Sequence, residues 1–420
     1  MKKLKILLLV IAFLFSVNNL VAQSSGFPDY EPTIPADRRV DWHNVGDKEI
    51  PTSFNKVFNV LNYGAIPNDG VDDWQSIQNT IELARTFISA NPGSYVAVYF
   101  PQGTYFLSGG ISLVNDDVKD YSNICLKGDG SDKTKLYFPD SYKGIAINIS
   151  GRISDNAPLT IISGYGKGSN TITINASTQD YNILDYVEIV NNYPLDFGQV
   201  GQIDKVIGKT GTQLKLEDKL SIDYDFGSSL IQVRKLIPIK NVGIEDLIIE
   251  RETTTWDWSN TIEYNYAAKC WILGVESFFT YKHHVDIHNS TFIEIRGSYF
   301  HHAAELGNGG EGYGIIIENH STNCLVEDNL FDGLRHSMLV QSGANRNVFG
   351  YNHSWNREWE LETATPGTGT ADISIHGNYP YANLFEGNLV ELIWADDYHG
   401  ANGPYNTFVR NQESPGILVV

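Results

Sequence analysis

The stretch VEDNLFDGLRHSMLVQSGANRNVFGYNHS, Val326 to Ser354, contains two short apolar strands, each with an asparagine at the same point. Similar segments recur from Leu236 onward as GIEDLII, VESFF, IRGSYF, VEDNLF, FGYNHS, FEGNLV and VRNQ. Their shared small polar position falls, at intervals of 21 to 36 residues, at Asp246, Ser277, Ser298, Asn329, Asn352, Asn388 and Asn411. Such a period is typical of a solenoid with loops of varying length. A β-sandwich would not need a polar residue in every repeat, so the pattern predicts an all-β parallel β-helix.

The first half of the chain has a different texture. Apolar residues from Trp74 to Ile88 follow helical spacing, and Asp72 with Gln75 forms a capping-box pattern. A helix in a β-rich chain suits the role of covering the open end of a sheet stack. Strict alternation, as in Tyr186 to Val190, predicts a small antiparallel insert. The predicted organisation is a signal peptide (1–22), an extended lead (23–55), a helical cap with the first coils (56–154), the insert (155–233) and further coils carrying a groove (234–420).

The N terminus and the composition set the expected location and partners. Three lysines, an apolar run and small residues up to Ala22 have the layout of a secretory signal peptide, so we expect an exported, monomeric protein without membrane insertion after cleavage. The formal net charge of −20 argues against nucleic acid as a partner. It also disfavours a strongly anionic substrate unless a local basic patch or a metal intervenes. The three cysteines, Cys125, Cys270 and Cys324, are predicted to be buried thiols rather than a disulfide framework.

The N-terminal motifs carry a family resemblance. VFNVLNYGAIPNDGVDDWQSIQNTI, VYFPQGTYFLSG and LKGDGSDKTKLYF resemble the start of the pectate-lyase-like superfamily, in the branch of rhamnogalacturonases, polygalacturonases and epimerase-like lyases. The resemblance covers about residues 56–140; the later half is similar only in repeat style. It implies a right-handed parallel β-helix and, as leading function, exported cleavage of a polysaccharide.

Counting from the repeated polar position predicts where side chains of successive coils converge. Equivalent positions of neighbouring coils stack about 4.8 Å apart. One predicted row of titratable residues contains Glu305, Arg335 with His336, Glu358 with Glu360, and Asp396 with Asp397. A second row beside it contains Tyr313, Asp372, His376 and His399. The sequence has no metal-ligand motif.

Two chemistries fit this predicted groove. Hydrolysis needs an acid and a carboxylate base, so Asp396 or Asp397 is the predicted acid and Glu360 or Asp372 the base, with no cofactor. Arg335, His336, His376 and His399 would then position the substrate. Elimination beside a uronate carboxylate would instead use Arg335, His336 and Tyr313, or calcium bound to the acids. We favour hydrolysis over elimination on the sequence, and a non-catalytic glycan-binding β-helix with stacking tryptophans is a third reading.

Overall fold

The protein is described here from a computed structural model. The structure describes residues 34–193, 195–196, 198–227, 230–252, 257–307, 309–358 and 369–413, and the backbone of 418–419. The predicted signal peptide and Glu360 lie outside these residues. Residues up to Arg39 form a separate unit, whose described part contains the short 3₁₀ helix Ala36–Arg38.

From Val40 onward the described chain coils through three parallel sheets. Sheet A contains ten strands, Lys56–Asn59, Val96–Tyr99, Ile124–Lys127, Gly243–Glu245, Trp271–Leu273, Glu294–Arg296, Leu325–Glu327, Val348–Gly350, Leu384–Glu386 and Thr407–Val409. Sheet B contains nine, Gly103–Phe106, Thr134–Phe138, Ile248–Arg251, Glu276–Thr280, Tyr299–Ala303, Leu330–Asp332, His353–Trp355, Leu389–Val390 and Gln412–Glu413. Sheet C also contains nine, Ile111–Val114, Ile147–Ser150, Ile262–Asn265, His283–His288, Tyr313–Glu318, His336–Val340, Ile373–His376, Ile393–Asp396 and Leu418–Val419. The predicted parallel β-helix is therefore confirmed.

The core is built from columns of like residues on successive coils. In sheet C, Ile315, Met338 and Ile373 are register partners and are fully buried. In sheet A, the rings of Phe349 and Phe385 stack with centroids 5.1 Å apart. Because strand residues alternate between faces, the side chains between these inward positions point out of the coil, and they form the surface on which the groove is built.

A hydrogen-bonded asparagine ladder fixes the turn between sheets A and B. Asn329 donates its side-chain amide to Asn352 Oδ1 at 3.1 Å, and Asn352 and Asn388 continue the chain to the next coil at 3.0 and 2.9 Å. The residue before each ladder position has a positive φ, for example 55° at Asp328, which bends the chain sharply. The predicted repeat position was wrong at its first two members. Asp246 occupies the positive-φ position one residue early, and Ser277 lies inside a sheet B strand.

The helix predicted near residue 74 closes the N-terminal end of the coil. It runs Trp74–Ala90 and buries Ile77, Ile81 and Ala84 against the first coils. Asp72 Oδ1 accepts the Trp74 amide at 3.1 Å, whereas Gln75 hydrogen-bonds to Asn79 instead of completing a capping box. The helix therefore covers apolar core that the coil itself leaves open.

The strands of the antiparallel insert extend a few residues beyond the predicted range 155–233 at both ends. Its seven strands are Arg152–Ile153, Leu159–Ser163, Thr171–Ile174, Tyr186–Asn191, Val200–Thr210, Gln213–Leu216 and Ile231–Ile237. A further pair of short parallel strands, Ile239–Lys240 and Ala267–Ala268, follows it. The insert docks on the coil through buried polar contacts: Glu188 Oε2 lies 2.7 Å from His320 Nε2 and Tyr381 donates to the Gly201 carbonyl at 2.6 Å. These contacts hold the insert beside sheet C.

The three cysteines lie in the interior of the protein. Cys125, Cys270 and Cys324 are buried free thiols, as predicted, and burial raises the pKa of each. Within the described ranges, no helix has the length and apolar character needed to cross a bilayer.

Candidate active site

A groove of about 730 Å³ lies on the outer face of sheet C, beside the insert. Its side chains come from five successive coils of that sheet and the loops that follow them. The residues that line it are Lys282, His283, Gly309, Gly310, Tyr313, Ile316, Glu318, Arg335, His336, Gln341, Gly369, His376, Trp394, Asp396, Asp397, Tyr398 and His399. A concave site with convergent polar and aromatic groups is the usual setting of a binding or catalytic centre.

Three rings at the first positions of successive sheet C strands form a row along one side of the groove. His283, Tyr313 and His336 are register partners on three successive coils of sheet C. The rings of His283 and Tyr313 stack with centroids 5.0 Å apart, and those of Tyr313 and His336 meet edge to face at 4.8 Å. Because each ring is held by both neighbours, the Tyr313 hydroxyl and the His336 imidazole have fixed positions.

Burial keeps these groups uncharged. Burial, aided by the neighbouring Arg335, lowers the pKa of His336 to about 3, so the imidazole is neutral near pH 7. Its Nδ1 lies 3.0 Å from the Ala371 carbonyl and 3.1 Å from the Ala371 amide nitrogen. Burial also raises the pKa of Tyr313, whose oxygen accepts the Gly310 amide at 3.0 Å. The hydroxyl therefore retains its proton and can give it to a substrate oxygen.

A histidine–aspartate pair lies one step along the groove. His376 Nδ1 is 2.7 Å from Asp396 Oδ2, and the two residues are register partners on adjacent coils. Burial opposes ionisation of Asp396, but the hydrogen bonds from His376 and from the Tyr398 amide outweigh it and lower its pKa. Asp396 Oδ1 accepts the Tyr398 amide at 2.9 Å, which fixes the carboxylate. An ionised carboxylate on Nδ1 leaves the lone pair on His376 Nε2, the arrangement of an oriented general base.

Two cationic side chains, Lys282 and Arg335, face the groove on the same side as Tyr313. Arg335 Nε donates to the Gly369 carbonyl at 3.0 Å, which holds the guanidinium at the wall. These two cations lie in a groove that also holds Asp396 and Asp397, and a guanidinium or ammonium group suits a carboxylate on the substrate.

Glu318 is a carboxyl group of a different character. Burial and the charge of Asp286 raise its pKa to about 7, and Gln341 donates to it at 2.6 Å. It lies three strands from Asp396 in sheet C, so their backbones are about 14 Å apart. Paired carboxylates of glycoside hydrolases lie within about 10 Å of one another, and this pair is therefore too widely spaced.

The far end of the groove meets the insert. His399 Nδ1 lies 2.9 Å from Asp196 Oδ2, a residue of the insert. The Tyr398 ring, 80% exposed, is nearly parallel to His376 with centroids 5.9 Å apart. The predicted DDYHG loop after the last groove strand thus forms the corner where coil and insert meet.

The structure brings together most of the predicted site residues but in a different order. Tyr313 and His336 form one row, and His376 and Asp396 another, whereas the sequence count placed Tyr313 with His376 and His336 with Asp396. The loops between sheets B and C differ in length, for example 304–312 in one coil, so counting from the ladder slipped between coils. The predicted residues that line the groove are Arg335, His336, Tyr313, His376, Asp396, Asp397 and His399.

Three other predicted residues do not line the groove. Both Asp372 oxygens are occupied, by the Ser354 hydroxyl at 2.6 Å and by the Glu391 and Leu392 amides at 2.8 Å each. Glu305 accepts two amides of its own turn, the nearer from Gly307 at 3.0 Å. Glu358 is exposed away from the groove, and Glu360 lies outside the described residues. Asp372 is therefore a structural link between coils, and we do not retain it as a base.

The sequence count missed Lys282, His283, Glu318, Gln341 and Tyr398. Lys282 and His283 stand at the start of the strand in YKHHVDIH, as Tyr313 and His336 stand at the start of theirs. Aligning the sheet C strands instead of the turns would have found them. Among the residues that the structure describes, no cluster of three or more His, Cys, Asp or Glu side chains is arranged to hold a metal ion.

Comparison with known proteins agrees with this architecture. Residues 57–207 match the family model described as "Rhamnogalacturonase A/epimerase, pectate lyase-like". The fold is a pectate-lyase-like right-handed β-helix. The chain is similar to the tailspike protein gp49 from Pseudomonas phage LKA1, with 16% identity and a TM-score of 0.64 over 86% of this chain and 61% of the tailspike chain. It thus spans less than two thirds of the tailspike's length.

Two weaker structural matches belong to enzymes. The A-module of mannuronan C-5 epimerase AlgE6 from Azotobacter vinelandii is 14% identical, with a TM-score of 0.46 over 84% of this chain and 69% of that one. The catalytic domain of Agl-KA is also 14% identical, with a TM-score of 0.45 over 88% and 49% of the two chains. No curated protein matches the sequence significantly.

Proposed function

We propose that this carbohydrate-active β-helix cleaves a uronate-containing polysaccharide by β-elimination in the sheet C groove. The observation that carries the proposal is the His376–Asp396 pair at 2.7 Å, an oriented base in a groove that also holds the cationic side chain of Arg335. The family model and the tailspike are consistent with a glycan partner. We further propose that the protein acts outside the cytoplasm, because its N terminus has the pattern of a signal peptide.

Each step of the proposed reaction is assigned to a different residue of the groove. Arg335, one coil from His376, binds the uronate carboxylate and stabilises the negative charge that develops on it when the neighbouring C5–H bond breaks, and Lys282 adds positive charge further along the groove. His376 Nε2 takes the C5 proton, and the ionised Asp396 stabilises the imidazolium that forms. The C5–H electrons form the C4–C5 double bond as the C4–O bond breaks. Tyr313 gives its proton to the leaving oxygen, and base and donor regain their protonation states from water.

His336 lies between the proposed base and the proposed donor. Its ring centroid is 6.1 Å from that of His376 and 4.8 Å from that of Tyr313. Because its pKa is lowered, it remains a neutral hydrogen-bonding group and adds no positive charge that would raise the energy of the His376 imidazolium. His336 is therefore assigned to positioning the sugar between the two reacting groups.

Hydrolysis, favoured on the sequence, is the second candidate. The adjacent Asp396 and Asp397 both line the groove, and an ionised Asp396 could help to activate a water. The backbone of Glu318, however, is about 14 Å from that of Asp396 by strand count, and the predicted base Asp372 is committed to structural hydrogen bonds. Elimination does not need a second carboxylate, because its base is the His376–Asp396 pair at 2.7 Å and its proton donor is the Tyr313 hydroxyl.

The test is a screen of the purified protein against anionic and neutral polysaccharides, with and without calcium. Each reaction is read for new reducing ends and for the ultraviolet absorbance of an unsaturated uronate. Both signals together, on a uronate polymer and lost in Asp396→Asn, are the expected result. Reducing ends without absorbance would replace elimination by hydrolysis. Neither signal, with polymer binding retained, would make the protein a glycan-binding β-helix.

A further inference from the structure

A second cavity, of about 620 Å³, lies between the insert and the last coils. Its walls come from the insert residues Tyr193, Asp196 and Phe226 and from Tyr379 of the coil. Tyr398 and His399 line both this cavity and the catalytic groove. The two cavities are therefore adjoining compartments that share a corner.

The second cavity is lined by aromatic rings that hold each other in place. The Phe226 ring lies 5.3 Å from Tyr193 and 5.3 Å from Tyr379, the latter edge to face at 89°. Tyr193 remains 40% exposed and Tyr398 80% exposed, so two phenol rings present free surface at the opening. Large rings with few rotatable bonds bind a flat apolar surface at little entropic cost. The C–H face of a sugar ring is such a surface.

A hydrogen-bonded corner joins the cavity to the reacting groups. His399 bonds to Asp196 at 2.9 Å, and the Asp196 amide donates to Asn378 at 3.0 Å. Tyr398 is bonded through its backbone to Asp396 and stacks beside His376. A glycan whose reacting sugar contacts His376 would continue across Tyr398 into the second cavity.

The charges of the two compartments differ. The catalytic groove contains Lys282 and Arg335 beside its own carboxylates, whereas no Lys or Arg is among the described residues that line the second cavity, whose Asp196 carboxylate is hydrogen-bonded to His399. A carboxylate on the wall repels a second anionic sugar. The second compartment therefore suits an uncharged ring that offers an apolar face and hydroxyl groups.

We propose that the insert builds a subsite for an uncharged sugar ring next to the cleavage position, with Tyr398 and Tyr193 as its stacking surfaces. This inference rests on the proposed function for the direction of the chain, and it extends that function by assigning the antiparallel insert a role in recognition. The enzyme should then act poorly on oligosaccharides too short to reach the subsite. It should also prefer polymers in which uncharged sugars accompany the uronates.

The experiment measures binding separately from turnover. Native gels containing different polysaccharides first identify a polymer that retards the Asp396→Asn variant. Disaccharides and hexasaccharides prepared from that polymer are then titrated by calorimetry into Asp396→Asn, alone and combined with Tyr398→Ala or Tyr193→Ala. Tyr351→Ala is the matched control, because this 53% exposed tyrosine lies next to a ladder position, in the turn after sheet A. Circular dichroism spectra and unfolding midpoints confirm that each variant is folded.

The expected result is a loss of about tenfold in hexasaccharide affinity for each subsite variant, with little change for the disaccharide and none for Tyr351→Ala. Equal losses for both lengths, or no loss, would overturn the subsite. Retardation by no polymer in the panel would overturn it as well. If length-dependent loss occurs but the wild-type protein shows no turnover, the subsite survives and the proposed elimination fails. If turnover occurs but the loss of affinity does not depend on oligosaccharide length, the proposed elimination survives and the subsite fails.

Discussion

Asp396→Asn is the sharpest perturbation of the proposed base. The substitution keeps the size of the side chain, and Asn Oδ1 can still accept the Tyr398 amide, so the loop after the last groove strand should stay folded. The new amide group, however, can donate to His376 Nδ1. That would place the ring proton on Nε2 and remove the lone pair that takes the substrate proton.

The size of the loss follows from the geometry. An ionised carboxylate 2.7 Å from an imidazolium contributes about 6 kcal/mol at an effective dielectric constant of about 20. Partial solvation of the groove reduces this, so we expect kcat to fall by about 10³- to 10⁴-fold. Comparable losses follow when the carboxylate of a histidine–aspartate pair is neutralised in other enzymes.

The assay is the initial rate of unsaturated-uronate formation on the polymer that wild-type protein cleaves, measured across a pH series. Glu358→Gln serves as the control, because this exposed carboxylate lies outside the groove. Its rate should equal that of the wild type. If folded Asp396→Asn kept more than about a tenth of the wild-type kcat, Asp396 would not orient the base, and His376 would lose its assigned role.

Four further predictions can be tested on the same preparations. Tyr313→Phe keeps the ring packed between His283 and His336 but removes the proposed proton donor. We expect kcat to fall by about 10²-fold or more while the unfolding midpoint barely moves. An unchanged kcat would assign the leaving-group proton to another group. Chelation by EDTA should leave turnover unchanged, because Lys282 and Arg335 supply the positive charge for the uronate; restoration of lost activity by calcium would refute this. Since burial raises the pKa of Glu318 to about 7 in the folded protein and the unfolded chain releases the proton near 4.5, stability should decline between these values. The gap between urea midpoints at pH 5 and pH 8 should therefore narrow in Glu318→Gln, and the buried Asp204, whose pKa is also raised to about 7, should maintain the rest of it. Asn352→Ala breaks a ladder step that joins Asn329, Val326 and Asn388, so the free energy of unfolding should fall by about 3 kcal/mol in urea titrations, against less than about 0.5 kcal/mol for Asn62→Ala at an exposed position of a 3₁₀ helix.

The fold could be predicted from the sequence because the repeat is local. Each turn between sheets A and B uses the same pair, a residue of positive φ and then a ladder asparagine, and this pair recurs at Asn329, Asn352 and Asn388 whatever the length of the loops elsewhere. The earlier coils use Val275 and Ser298 at the equivalent position, with Val275 donating to Ser298 Oγ at 3.1 Å. Ser298 has a polar side chain and Val275 does not, so a pattern defined by polarity could locate Ser298 but not Val275.

The site could be predicted only in part because its register is not local. Arg335 and His336 follow Asn329 by a short turn, so the count from the ladder placed them on the groove. Glu305 lies at the same count from Ser298, yet in its coil the chain makes a longer excursion before sheet C begins again at Tyr313. The residue that contacts His336 is therefore eight positions beyond the one the count selected. Loop length, which turn patterns do not constrain, decides which side chains meet.

The stacking of coils also bears on how an acidic protein could act on an acidic polymer, because it decides which charged side chains meet in the groove. The net charge of −20 is a property of the whole surface, and at physiological ionic strength it is screened over about 8 Å. Lys282 and Arg335 come from different coils and are separated by 53 residues in the sequence, but strand pairing brings both to one wall of the groove. The local potential at the reacting sugar is thus set by the stacking of coils. We expect a substrate carboxylate to respond to that wall, and Asp196 in the adjoining cavity to disfavour a second anionic sugar.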